Sequence, residues 1–177
     1  MDWAQLVPQA IQGNREAFVS LIRHMEHSLY NTAKSMLRQE EDVADAVQET
    51  ILKAYKAMHT LREPKYFKTW IFRILINECN TLLSRRSRSI SYAEVPENPD
   101  HGHDYDHVDL REAVDRLDEQ KRIVVVLHYF EDLTTKQIAD TLNISESAVK
   151  MRLQRARNEL YRKFKLFREG KLNVETI

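Results

Sequence analysis

The stretch that decides the fold is "LTTKQIADTLNISESAVKMRL", Leu133–Leu153. Thr134, followed three residues later by Gln137, forms the pattern of a capping box, which is a specific signal for the start of a helix. Asn143 stands where the chain must turn, and Asn adopts the left-handed backbone conformation more readily than most residues. Ser145 can then cap a second helix through its hydroxyl group. A short helix, a tight turn and a second helix together predict a helix-turn-helix.

The second helix of this motif has an apolar side and a basic, polar side. At about 100° per residue, the side predicted to face the core carries Val149, Leu153, Ala156 and Leu160. The opposite arc and its flanks carry Ser147, Lys150, Met151, Arg152, Gln154, Arg155, Arg157 and Asn158. This arc can enter a major groove, where Arg155 or Gln154 would read base edges while the flanking cations lie near phosphates. An ordinary solvated basic helix remains the alternative.

The segment before the helix-turn-helix, "LREAVDRLDEQKRIVVVLHYFEDL", supplies supporting helices. Asp118 is expected to cap one of them, and His128 is expected to be structural or exposed. The residues expected to be buried are Val114, Leu117, Ile123, Val124, Val126, Leu127 and Phe130.

Composition predicts an all-α protein made of two small helical domains. The 177 residues include only three glycines and four prolines, and 42% are hydrophobic. Helical periodicity dominates two blocks, and Pro96, Pro99 and Gly102 interrupt the segment between them. We therefore expect a domain over residues 1–86, a flexible acidic linker over 87–108 and the helix-turn-helix domain over 109–177.

The sequence predicts a cytoplasmic protein. No apolar run approaches the roughly 20 residues of a membrane helix, and the N-terminus lacks the pattern of a secretory signal. The single cysteine, Cys79, has an apolar context, which favours a buried structural thiol.

Residues that carry catalytic or metal chemistry are not found in recognisable patterns. The spacing of His101, His103 and His107 suits neither a helix face nor a common zinc motif. There is no glycine-rich phosphate loop, no paired-histidine metal motif and no nucleophile with a base. We expect no metal site, no cofactor, no small-molecule substrate and no enzymatic activity.

The N-terminal block contains one helix with a core side and a polar side. Asp42 is its expected N-cap, and its expected core residues are Val43, Ala46, Val47, Thr50, Ala54 and Met58. Its far side carries Asp45, Gln48, Glu49, Leu52 and Lys56. From the residues alone this is either a plain solvated face or an anchor for a partner helix, with Leu52 at its centre.

The following segment mixes cations with aromatic rings. "LREPKYF" (61–67) leads into a helix with a wide apolar arc and a narrower strip containing Thr69, Trp70, Arg73, Asn77, Asn80 and Ser84. Such surfaces suit unpaired nucleic acid, because cations follow the backbone and rings stack on bases. Core packing is an equal alternative for Phe67 and Trp70, and Glu78, on the apolar side, has no clear role beyond a buried ion pair.

Three stretches in this order resemble the extracytoplasmic-function sigma factors, the small two-domain class of the sigma-70 family. They are "DVADAVQETILKAY" (42–55), "YFKTWIFRILINECNTLLSRR" (66–86) and "LTTKQIADTLNISESAVKMRLQRARNEL" (133–160). The resemblance covers nearly the whole chain. It implies an alternative sigma factor that binds core RNA polymerase and directs promoter-specific transcription initiation.

The resemblance also implies partners and roles for residues. Docking on the β′ clamp coiled coil of polymerase would use Asp45, Gln48, Glu49 and Leu52. Recognition and melting of the −10 element would use Leu61, Arg62, Tyr66, Phe67, Lys68, Thr69, Trp70, Arg73, Asn77 and Asn80. Recognition of the −35 element would use Ser147, Lys150, Met151, Arg152, Gln154, Arg155 and Arg157. The β flap of polymerase and an anti-sigma factor, often membrane-anchored, are further implied partners. A stand-alone helix-turn-helix regulator is the competing interpretation.

Overall fold

The computed structural model describes the backbone of residues 3–90 and 110–174, and the side chains of residues 3, 5–86 and 110–165. The described residues form eight α-helices, joined by turns and short 3₁₀ or π segments, and contain no strand. The helices are α1 (Trp3–Ile11), α2 (Arg15–Met36), α3 (Glu40–Ala57), α4 (Phe67–Ile90), α5 (Leu110–Asp115), α6 (Glu119–Val125), α7 (Thr135–Leu142) and α8 (Glu146–Val174). The all-α prediction is confirmed, and no helix among the described residues is long and apolar enough to cross a membrane.

Helices α1–α4 form the N-terminal domain. Asn14 caps α2 by accepting a 3.0 Å hydrogen bond from the backbone N–H of Ala17. α3 packs on both α2 and α4, and α1 packs on α2. The core contains large apolar side chains with almost no exposed surface, including Leu21, Leu29, Phe72 and Leu75.

The start of α3 differs from the prediction. The helix begins at Glu40, and the Gln39 side chain at the cap position makes no capping hydrogen bond. Asp42 therefore lies inside the first turn, where its carboxylate accepts a 2.8 Å hydrogen bond from Arg86. The prediction that Asp42 caps α3 is therefore wrong, and its side chain instead forms a long-range ion pair with Arg86. The predicted core side of α3 is confirmed, with Val43, Ala46, Thr50, Ala54 and Met58 buried and Val47 half-buried.

Helices α5–α8 form the C-terminal domain, in which α5, α6 and α7 all contact α8. Asp118 caps α6, as predicted, by accepting from the backbone N–H of Lys121. α6 continues into a π-helical segment, Val126–Phe130, whose wider turn rotates the last residues relative to an α-helix. Phe130, predicted to be buried, is 45% exposed at the end of this segment. His128 is half-buried, and its Nδ1 lies 2.9 Å from the Leu133 carbonyl oxygen.

The two domains pack against each other along α2, α4, α6 and α7, and their buried side chains form one hydrophobic cluster. At one end of this junction the buried guanidinium of Arg122 donates to the Ser35 carbonyl of α2. At the other end Lys68, at the start of α4, donates to the Glu131 carbonyl and lies 3.6 Å from its carboxylate Oε2. Long-range polar contacts therefore join the domains in addition to the shared core.

Candidate nucleic-acid interface

The helix-turn-helix is built by the local capping contacts that its sequence predicts. Thr134 and Gln137 form the reciprocal capping box, with the Gln137 N–H donating to Thr134 Oγ1 at 3.2 Å. Asn143 has φ 54°, in the left-handed region, and ends α7. Ser145 Oγ accepts a 3.1 Å hydrogen bond from the Ala148 N–H at the start of α8. These contacts set where α8 begins and therefore which of its residues face outward.

The outer face of α8 is the predicted one. Val149, Leu153 and Ala156 are buried, and Leu160 packs partly against the core. Arg152 is half-buried, and the exposed residues are Ser147, Lys150, Met151, Gln154, Arg155, Arg157 and Asn158. Met151, the apolar member of this set, has 48% of its surface exposed. A polar, cationic strip is thus available over the first half of the helix.

Two cations of this strip already have partners. Lys150 pairs with Glu146 at 2.9 Å, and Glu146 also accepts a 2.8 Å hydrogen bond from Thr135 of α7. Lys150 and Thr135 hold the pKa of the Glu146 carboxyl below its ordinary value. Arg157 donates to the Tyr129 hydroxyl at 2.7 Å and lies over the Tyr129 ring. Both cations are therefore held in defined orientations on the exposed surface of α8.

α4 presents a second polar strip. Arg73, Asn77, Asn80 and Ser84 are exposed at three- and four-residue spacing, which places them along one side of the helix. Ile71, Phe72, Leu75, Ile76 and Cys79 fill the opposite, buried side. Thr69 and Trp70 are half-buried at its beginning, and the buried Thr69 hydroxyl has no hydrogen-bond partner.

The loop before α4 separates core residues from surface residues. Leu61 and Phe67 are buried, so their side chains shape the loop from below. Arg62 is exposed, and Tyr66 is 49% exposed with the Lys65 ammonium 5.0 Å from the centre of its ring. Phe67 therefore packs in the core, whereas Tyr66 keeps about half of its surface exposed beside Lys65.

The polar face of α3 is exposed, as predicted. Asp45, Gln48 and Glu49 are exposed around Leu52, which leaves 45% of its surface uncovered. Two shallow grooves border Leu52, and Gln48 contributes to both of them. One groove, of about 360 Å³, is mainly apolar and lies between α2 and α3, and the other lies between α3 and α4. An apolar side chain between two grooves, surrounded by carboxylates and an amide, is suited to bind a partner helix.

Glu78, whose place on the apolar side of α4 was unexplained, lines the groove between α3 and α4. Lys53 of α3 donates a 2.7 Å hydrogen bond to the Glu78 carboxylate, which is mostly buried. Glu78 in turn raises the pKa of Lys53 above its ordinary value. This ion pair joins α3 to α4, so Glu78 serves packing between helices.

The described residues contain neither a reactive cysteine nor a cluster of side chains that could bind a metal ion. Cys79 is buried as predicted, and burial raises the pKa of its thiol to about 12, which disfavours the reactive thiolate. Side chains that could bind a metal do not cluster within residues 3–86 and 110–165. His101, His103 and His107 lie outside the described residues.

Comparisons with known proteins agree with this arrangement. The family model for sigma-70 region 2 matches residues 16–89, and the model for sigma-70 region 4 matches residues 107–160. The chain is 30% identical over 148 residues to the RNA polymerase sigma factor SigV of Bacillus subtilis, covering 82% of this chain and 89% of SigV. The chain belongs to the extracytoplasmic-function sigma factors of the sigma-70 family.

Other sigma factors resemble it over most of their length. The ECF RNA polymerase sigma-E factor of Haemophilus influenzae is 26% identical over 176 residues, covering 89% of this chain and 93% of that protein. The solved structure of CnrH in complex with the cytosolic domain of CnrY matches with a TM-score of 0.63 and 27% identity, over 91% of this chain and 96% of CnrH. Sigma factors act in transcription initiation and are not enzymes. Membership of this family therefore confirms the predicted role in transcription initiation and the prediction that the protein is not an enzyme.

The sequence interpretation of this sigma factor missed one residue beside the predicted −10 loop. Trp3 of α1 lies with its ring centre 5.8 Å from that of Phe67. An apolar helix beginning with Trp was visible in the sequence, but no local pattern relates position 3 to position 67.

Proposed function

We propose that this sigma factor binds core RNA polymerase and directs it to promoters by reading two elements with two domains. In this proposal α8 reads the −35 element, and the loop before α4, with the exposed strip of α4, recognises and opens the −10 element. The observation that carries it is the exposure of Met151, Gln154 and Arg155 on a helix whose buried side and caps fix its orientation.

The contacts of α8 divide into two classes in this proposal. Gln154 and Arg155 project from the exposed arc, where amide and guanidinium groups can pair with base edges in the major groove. Lys150, Arg152 and Arg157 lie at its borders, where they contact phosphates and position the helix, and Ser147 lies within the arc in the first turn of α8.

The −10 interface combines the cations and aromatic rings around the loop. Arg62 and Tyr66 are exposed, and Lys68, Thr69 and Trp70 are half-buried around the start of α4. Leu61 and Phe67 support the loop from the core, while Arg73, Asn77 and Asn80 continue the surface along α4. Extracting a base from the duplex costs a few kcal/mol, which a stacking surface can offset.

Polymerase docks on α3 in this proposal, through Leu52 and the surrounding Asp45, Gln48 and Glu49. Exposed carboxylates beside an apolar anchor suit the β′ clamp coiled coil, and the C-terminal domain contacts the β flap. We further propose that the protein works in the cytoplasm and is held inactive by an anti-sigma factor. The complex of its relative CnrH with the cytosolic domain of CnrY supports a partner of this kind.

Transcription of genomic fragments by purified bacterial core polymerase tests the proposal. Adding the protein should produce transcripts from a defined set of promoters that share both elements. Arg155→Ala should reduce initiation at these promoters about 5- to 150-fold if it removes a bidentate contact to guanine. Arg116→Ala, which removes an exposed ion pair between Glu112 of α5 and the residue just after that helix, is the matched control and should initiate normally. Tight, specific duplex binding without polymerase, and no initiation with it, would support a stand-alone regulator instead.

A further inference from the structure

The N-terminal helix places an indole ring next to the predicted −10 interface. α1 contacts two 3₁₀ turns: Met58–Thr60, which precedes the loop before α4, and Pro64–Tyr66, which lies within that loop. The ring of Trp3 lies 5.8 Å from that of Phe67, and the ring of Trp70 lies 6.1 Å from it. The two indoles of the chain therefore flank the same phenyl ring.

These three rings differ in what covers them. Phe67 is 2% exposed and belongs to the core, whereas Trp3 is 37% exposed and Trp70 is half-buried. Tyr66, on the adjoining turn, adds an exposed ring beneath the Lys65 ammonium. Phe67 thus supports a surface on which aromatic area and positive charge occur together, and that combination suits single-stranded nucleic acid.

We propose that Trp3 stacks on an unpaired base of the opened promoter strand and so extends the −10 interface beyond the loop. This inference rests on the proposed function of the loop. Trp3 lies before residue 16, where the match to sigma-70 region 2 begins. Stacking tolerates any base, so Trp3 contributes affinity for opened DNA and little sequence preference.

The test compares two substitutions in the reconstituted holoenzyme. Trp3→Leu keeps an apolar side chain against Phe67 but lacks a flat ring, whereas Trp3→Tyr keeps a ring that can stack. With a labelled single-stranded DNA oligonucleotide, Trp3→Leu should bind about 5- to 150-fold more weakly than wild type, the loss of one stacked base. Trp3→Tyr should recover most of that loss. Affinity for core polymerase and thermal stability should be unchanged in both variants.

Fluorescence supplies a readout that packing alone would not change. Because the chain has two tryptophans, Trp70→Phe leaves Trp3 as the only indole in the free sigma factor. Adding the oligonucleotide at low salt should quench the emission of Trp3. Unquenched emission at DNA concentrations where the label shows the Trp70→Phe variant to be bound, or equal binding losses in Trp3→Leu and Trp3→Tyr, would overturn the inference.

A parallel variant separates this inference from the proposed function. Trp70→Leu should also weaken binding to the oligonucleotide. If Trp70→Leu weakens binding and Trp3→Leu does not, the inference about Trp3 is wrong and the −10 interface stands. If neither variant weakens binding, the inference about Trp3 is wrong and so is the proposed stacking of bases on Trp70.

Discussion

The helix-turn-helix and the junction between the domains are held by contacts of very different range. In the helix-turn-helix, the capping hydrogen bonds from Gln137 to Thr134 and from Ala148 to Ser145 each span three residues. At the junction, Lys68 bonds to a residue 63 positions away, and Arg122 to one 87 positions away. The capping contacts of the first region involve only neighbouring residues, whereas those of the second form only when both halves of the chain have folded.

Burial separates the two regions as well. The capping groups of the helix-turn-helix lie mostly at the surface, where water can replace a lost hydrogen bond. At the junction, Arg122 is 6% exposed and Glu131 is 3% exposed. Removing one partner of a buried polar contact leaves the other without water, so we expect larger effects there.

The largest effect is expected from Arg122→Ala. The Arg122 guanidinium donates to the Ser35 carbonyl, to the Asp115 carbonyl at 2.7 Å and to the Leu117 carbonyl at 3.0 Å. The hydrogen bonds to Ser35 and Leu117 are buried, and each unsatisfied buried carbonyl costs about 1–3 kcal/mol, so the free energy of unfolding should fall by roughly 2 kcal/mol or more. Urea denaturation followed by circular dichroism measures this change.

Arg116→Ala is the control for that measurement. Arg116 forms an exposed ion pair with Glu112 one helical turn away, and such pairs contribute about 0.5 kcal/mol or less. If Arg122→Ala and Arg116→Ala had equally small effects, the contacts of Arg122 across the junction would not stabilise the fold.

A smaller effect is expected at the turn of the helix-turn-helix. Asn143 has φ 54°, a conformation that costs other non-glycine residues about 1–2 kcal/mol. Asn143→Ala should therefore lower the free energy of unfolding by about 1 kcal/mol, whereas Asn143→Gly should be close to neutral. Thermal denaturation of both variants provides the comparison. An Ala variant as stable as the Gly variant would show that the turn relaxes to another conformation.

The difference in range also explains which features the sequence could predict. Thr134, Asn143, Ser145 and Asp118 act on neighbours within five residues, and the structure confirms all four caps or turns. The buried face of α8 follows from helical periodicity alone. Periodicity and spacing therefore determined the part of the candidate site that lies on α8.

Contacts between distant segments were not predictable in the same way. The partner of Asp42 is 44 positions away, and an aspartate near a helix start looks like a cap when only its neighbours are considered. An α-helical period places Phe130 on the core side with Val126 and Leu127, whereas the chain takes a π turn there. The position of Trp3 beside Phe67 likewise depends on how α1 packs, which no local pattern specifies.

The smallest effect is expected from Glu131, as a dependence of stability on pH. Burial raises the pKa of this carboxyl above its ordinary 4.5, although Ser28 and Lys68 oppose the shift. A raised pKa means that the folded protein holds this proton to higher pH than the unfolded chain, so the contribution of Glu131 to stability falls as pH rises through the folded pKa.

Glu131→Gln removes this titration while keeping the shape of the side chain. The variant should therefore become more stable relative to wild type as pH rises from 4.5 toward neutrality, so the difference in free energy of unfolding (variant minus wild type) should increase. Asp140→Asn, which removes one carboxylate charge from the exposed side of α7, is the control for the change in net charge. Parallel profiles for Glu131→Gln and wild type would mean that water reaches the Glu131 carboxyl and that this end of the junction is open in solution.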